Sequence, residues 1–170
     1  DFAHLNLLLK EFNSSSLAHK TTGKVTQVKS ILMENELLND PIFFTNHRTG
    51  GKDIIAQDID NTLYFLSSGG KTLWTKKLKN PIVGDVQEVD LLRNGKKQLA
   101  FTTKNNFYIL DRKGRPVKPF PVKLKDDITQ GLAVFDYDKN RKYRFLITQG
   151  REVLMLDSSG KKVTGFKYNK

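Results

Sequence analysis

The chain has 170 residues, 38% of them hydrophobic and 28% charged, which fits one globular domain or part of a larger one and argues against disorder. It contains no cysteine, which excludes a disulfide framework, thiol catalysis and cysteine-bound zinc, and no apolar run near the roughly 20 residues of a membrane helix. The formal net charge of +11 raises an anionic partner, but the cations between Arg93 and Lys125, opposed there by Asp111 alone, mostly sit beside Gly or Pro and read as solvated turns. The start at Asp1, with no Met and no signal-like segment, reads as the edge of a processed or cut piece.

In chain order, His4 to Lys10 places Leu5, Leu7 and Leu9 at period two, and Val25 to Met33 is a second apolar-bearing run. A Ser-rich connection with Gly23 separates them. The pair reads as the last hairpin of a preceding unit, although Leu5, Leu8, Leu9 and Phe12 also permit an amphipathic helix over Ala3 to Phe12.

From Leu38 onward one pattern recurs three times. Asn61 to Gly70, Asn105 to Gly114 and Arg151 to Gly160 each carry an apolar run ending in Leu (Leu66, Leu110, Leu156), then a polar or acidic residue, then Gly. The closing glycines are 44 and 46 residues apart, and so are the unit starts Leu38, Ile82 and Ile128. Gly supplies the positive φ such a hairpin turn requires. Two strand-like runs precede each copy: Ile42 to Thr45 and Asp53 to Gln57, Val86 to Val89 and Gln98 to Thr102, Leu132 to Phe135 and Arg144 to Thr148. An extended stretch follows each Gly: Lys71 to Leu78, Arg115 to Val122, Lys161 to Tyr168.

Four strands in about 45 residues, repeated, are the signature of units that bury their faces by stacking on neighbours. The expected fold is all-β: a partial β-propeller of about three four-stranded antiparallel blades plus an N-terminal hairpin of a preceding blade. The hairpin takes residues 1–37 and the blades 38–81, 82–127 and 128–170, all in one domain. A β-sandwich with recurring turns is the alternative. Because a closed propeller needs four to eight blades, the remaining blades of a parent protein, or another copy, are expected to cover the open edges.

Leu63-Tyr-Phe-Leu-Ser-Ser-Gly-Gly-Lys-Thr-Leu-Trp74 resembles the repeat of quinoprotein-type (PQQ-like) propellers, in which a strand, a polar or acidic turn and Gly-Lys precede a Trp. The second and third copies keep Leu-Asp-x-x-Gly and match Leu73 with Val117 and Val163, but carry Lys118 and Thr164 at the Trp position. Phe43 to His47, Gln57-Asp58, Asn61-Thr62 and Phe135 to Asp138 look more particularly like uncharacterised propeller proteins of the Bacteroidota cell envelope, which implies a periplasmic or envelope location. The resemblance spans residues 38–170 and implies architecture. It implies no cofactor here, since a quinone and its calcium would need a complete ring and a carboxylate–amide set that the chain lacks.

No catalytic constellation stands out. Asp136, Asp138 and Asn140 have the spacing of oxygen ligands in a calcium loop. Such a loop wants a Gly next and a carboxylate near the ninth position, where this chain has Arg141 and Arg144, so the segment reads instead as an Asx-rich turn. His4, His19 and His47 show no metal-ligand spacing, and Gly70-Lys71-Thr72 lacks the upstream Gly and following helix of a phosphate loop. The strand aromatics read mostly as core between blades, and no nucleic-acid motif accompanies the basic residues, so nucleic acid is not the expected partner. The leading expectation is a non-enzymatic binding or scaffolding propeller of the cell envelope with a protein or glycan partner. The alternatives are part of a quinone- or calcium-dependent enzyme whose site lies in other blades, and a binder of anionic polymer.

Overall fold

A computed structural model describes residues 4–7 and 29–166. Every regular element among them is a β-strand. β1 (His4–Leu7) and β2 (Lys29–Leu32) pair antiparallel, His4 opposite Leu32, so the N-terminal stretch takes the strand reading where it is described. The rest of Ala3 to Phe12, and the connection through Gly23, lie outside the described residues.

Three larger sheets follow. The first holds β3 (Ile42–Thr45), β4 (Lys52–Gln57), β5 (Thr62–Leu66) and β6 (Thr72–Lys77). The second holds β7 (Ile82–Val89), β8 (Gln98–Thr103), β9 (Asn106–Leu110) and β10 (Val122–Lys123). The third holds β11 (Ala133–Phe135), β12 (Arg144–Gln149) and β13 (Glu152–Leu156). Within each sheet the strands lie in chain order and neighbours run antiparallel. The repeat extends to register: Ala56 faces Tyr64, Phe101 faces Tyr108 and Ile147 faces Leu154.

Successive strand residues point to opposite faces, so a buried strand must meet a partner on both sides. Ile54, Ala56, Tyr64 and Leu66 meet Met33 beside the N-terminal hairpin. On the other face Phe44, Ile55, Leu63 and Phe65 meet Leu99, Phe101 and Val86 of the second sheet. Ala100, Phe107 and Ile109, on the far face of that sheet, meet Phe145, Ile147 and Leu154 of the third. The apolar layers thus lie between sheets, and each fully buried Phe contributes about 1.5–3 kcal/mol. The result is a partial, propeller-like all-β fold, with no closed barrel among the described residues.

The fourth strands are shorter than their sequences suggest. β6 is six residues long, but β10 has only two, preceded by a single bridge between Leu110 and Pro116; the third sheet has the matching bridge between Leu156 and Lys162, and the end of the expected stretch, Lys167 and Tyr168, lies outside the described residues. Pro116 keeps its bridge to Leu110, but Pro119 and Pro121 have no N–H to donate, and the ladder resumes only at Val122. In the third copy Val163 still donates its N–H to the Met155 oxygen at 2.8 Å, and Gly165 follows at φ +85°.

The turns repeat as faithfully as the strands. Ser67, Asp111 and Asp157 each accept, on a side-chain oxygen, the N–H of the residue four on: Lys71 at 3.1 Å, Arg115 at 3.0 Å and Lys161 at 3.0 Å. Between β4 and β5, the buried Asp58 accepts the Thr62 N–H (2.7 Å), the Tyr64 hydroxyl (3.0 Å) and the Asn35 amide (3.1 Å). Burial alone would raise the Asp58 pKa, but these hydrogen bonds outweigh it and hold the carboxyl below 3.8. The Tyr64 hydroxyl is pushed up to about 12 by burial and by the bond it donates.

The signs of these shifts set the pH response. A depressed carboxyl stabilises the fold above its unfolded value, and that contribution is lost as pH falls through the folded value. Asp111 and Asp157, held low by their turn donors against the opposing effect of burial, act in the same direction. Tyr64 stabilises fully below about 10 and loses its contribution as pH rises through about 12. Urea unfolding across pH should therefore show an acid limb below the ordinary Asp range that is shallower in D58N. An acid limb of equal slope in both proteins would refute this assignment.

Candidate functional site

Asp136, Asp138 and Asn140 lie in the loop between β11 and β12. Asp136 turns its carboxylate onto its own backbone, accepting the N–H groups of Asn140 (3.1 Å) and Arg141 (3.0 Å). The Asn140 amide donates to Asp138 at 3.3 Å. The loop between β7 and β8 does the same without an acid at the third position. There Asp90 accepts from Asn94 (3.0 Å) and Gly95 (2.9 Å), with Leu92 where the third copy has Asp138. The shared spacing is thus a turn design, and Arg141 reaches across to pair with Asp90 at 3.2 Å. Among the described residues no three His, Cys, Asp or Glu side chains gather as a metal would need. Gly70-Lys71-Thr72 forms the β5–β6 hairpin turn.

In antiparallel sheets ordered along the chain, the first and third turns of each sheet emerge at one end. At that end the first turn of the first sheet and both turns of the second build a cleft of about 590 Å³. His47 and Arg48 come from the β3–β4 loop, Lys96 and Lys97 from the β7–β8 loop, and Arg112, Lys113 and Arg115 from the β9–β10 turn. Asp111 is the one carboxylate of the lining, and Arg115 holds it at 2.6 Å. The cleft is therefore strongly positive.

Arg112 anchors its floor. The guanidinium pairs with the buried Asp53 of β4 and lies 5.6 Å from the centre of the Phe65 ring. Its backbone oxygen accepts the Trp74 indole N–H at 2.8 Å, and the Trp74 ring covers Gly114 so closely that a Cβ there would sit 2.9 Å from it. Two buried nitrogens at this floor, Arg112 Nε and His47 Nδ1, have no hydrogen-bond partner. Burial first, then the charges of Arg112, Lys96 and Arg48, lower the His47 pKa below its ordinary 6.5, while Asp53 opposes them. Of the three histidines in the sequence, His47 is the one the fold brings into a charged cluster among the described residues.

A second feature is the outer face of the third sheet. Ala133, Leu146 and Met155 face one another across β11, β12 and β13, with Val153 and Phe135 beside them. The equivalent residues of the other sheets are covered: Leu146 matches Ile55 and Ala100, Val153 matches Leu63 and Phe107, and Met155 matches Phe65 and Ile109. Those six are 0–2% exposed, whereas Leu146, Val153 and Met155 are half-buried and Phe135 is 40% exposed.

No helix of the described residues is long and apolar enough to cross a membrane. Compared with known proteins, the chain matches no family model, and no curated protein matches its sequence.

Proposed function

We propose that this chain is a non-enzymatic binding and scaffolding module of the cell envelope that holds a protein partner by sheet stacking. The observation that carries this reading is the outer face of the third sheet, where Phe135, Leu146, Val153 and Met155 keep the apolar pattern of faces that are covered elsewhere in the fold. The fitting partner is a β-sheet that offers aliphatic and aromatic side chains at strand spacing. Leu99 and Phe101 of β8 do this against Ile55 and Phe65 inside the fold. Continuing that packing outward removes apolar surface from water at about 25 cal/mol per Å². A stable complex of this kind covers roughly 800 Å² on each partner.

Because the chain has no cysteine, a single one introduced at this face reports its neighbour cleanly. A photo-crosslinker on V153C should capture one defined protein partner, and the same reagent on K123C, at an exposed outer strand, should not. Adding Leu146→Lys and Met155→Lys should abolish that capture while the melting temperature stays unchanged. Equal capture from positions 153 and 123, or capture that survives the paired lysines, would overturn the reading.

A further inference from the structure

We infer that the cleft between the first and second sheets is a binding site for an acidic polysaccharide, a sugar chain bearing carboxylates or sulfates. The site is separate from the outer face of the third sheet and does not depend on it. Six cations line the cleft against one carboxylate. Asp111 is engaged by Arg115 and by the N–H groups of its own turn, and Arg112 is held by Asp53. Arg48, Lys96, Lys97 and Lys113 are left with no carboxylate within 4.0 Å among the described residues. These four come from three loops on two sheets, so the charge is gathered by the fold and is not a run in the sequence.

The backbone under these cations is fixed before any ligand arrives. Asp90 holds Asn94 and Gly95, the Asn94 side chain accepts the Lys96 N–H at 3.0 Å, and Asp111 accepts the Lys113 N–H at 2.8 Å. Such preorganisation lowers the ordering cost of binding. The volume of about 590 Å³ falls in the range of small-ligand sites and has room for a few sugar rings. Leu92, at the rim and 52% exposed, offers an apolar contact to a sugar face.

The lining distinguishes a polysaccharide from nucleic acid. Single-stranded nucleic acids are held by bases stacked on exposed aromatic rings. No Phe, Tyr or Trp lines this cleft; behind it Phe65 is fully buried, and the half-buried Trp74 stacks on it with ring centres 5.2 Å apart. Charge without a stacking platform suits a chain whose anionic groups are carried by sugars.

The groups around His47 supply an internal reporter. Arg48 on its own loop, Lys96 from the second sheet and Arg112 from the β9–β10 turn all oppose its protonation, and Asp53 of β4 favours it. An anion seated among them should raise the His47 pKa toward 6.5.

The test uses a sulfated hexasaccharide of the heparin type, titrated into the whole chain at low and at physiological salt. Affinity should fall by about tenfold or more between the two. The His47 resonance should move to higher pKa as the ligand is added. Replacing Arg48, Lys96 and Lys113 together by Ala should cost about thirtyfold in affinity at low salt, while removing Lys77, Lys79 and Lys123 from the opposite end should cost less than about threefold. Unchanged melting curves establish that both triple variants fold, and Leu146→Lys with Met155→Lys should leave the affinity intact. Equal losses in the two triple variants would reduce the binding to net charge and overturn the site. Tighter binding of a single-stranded oligonucleotide of matched charge, with the same His47 response, would overturn the ligand class.

Discussion

Replacing Arg112 with Ala should destabilise the protein by about 3–5 kcal/mol, the penalty for stranding a buried charge. The charge stranded is Asp53, 1% exposed on β4, whose other side-chain partner is the Asn46 amide at 3.2 Å. The substitution also removes the guanidinium from the Phe65 ring. For a domain of this size the loss corresponds to a fall in melting temperature of about 6–20 °C. The pair joins the first sheet to the second, so its loss should raise the cooperative unfolding rate of both. Replacing both partners by apolar residues of similar volume, Asp53→Leu with Arg112→Met, should recover most of the stability, because no charge is then left without its counter-ion. Thermal melts of the singles and the double measure the coupling directly. A single-variant loss below about 1 kcal/mol would mean that water, not Arg112, satisfies Asp53.

The contrast between this ion pair and the turns shows which parts of the fold are written locally. Each Gly-ended turn rests on residues within four positions of one another, as with Asp111 and Arg115, so three copies in the sequence suffice to place nine strand segments, while their register appears only in the fold. Asp53 and Arg112 are 59 positions apart, and Trp74 finds the Arg112 carbonyl over a separation of 38. A charge count that sets the cations from Arg93 to Lys125 against Asp111 alone cannot see that partner, because Asp53 lies on another sheet. The basic cleft was hidden for the same reason: His47, Lys96 and Arg112 converge only once the first two sheets stack. The metal-like spacing at Asp136 could have been decided from sequence. The second copy keeps Asp90, Asn94 and the following Lys96, yet has Leu92 in place of the second acid, so the common requirement is a turn. Proline was the neglected signal in the second copy, where Pro119 and Pro121 were compatible with an extended chain but not with a hydrogen-bonded strand.

Gly84→Ala is expected to cost about 3 kcal/mol through two separate penalties. Gly84 lies in β7 where the register against β8 shifts between Val83 and Gln87, and its φ is +72°. An L-residue there bears about 1–2 kcal/mol of backbone strain. The added Cβ would also sit 2.5 Å from the Gly131 Cα and 3.3 Å from its nitrogen, atoms of the chain just before β11. Those are backbone atoms of the segment leading into the third sheet and have no rotamer to yield, so relief requires that segment and β7 to part. Overpacking of this kind adds about 1–3 kcal/mol. Gly95→Ala isolates the first penalty, since Gly95 has φ +75° but nothing within 4 Å of the would-be Cβ. It should lose only about 1 kcal/mol. Urea unfolding of both variants beside the parent tests the difference. If Gly84→Ala and Gly95→Ala lose the same amount, the close backbone approach of the two sheets is not what Gly84 serves, and the tight stacking of the second sheet on the third at this point is refuted.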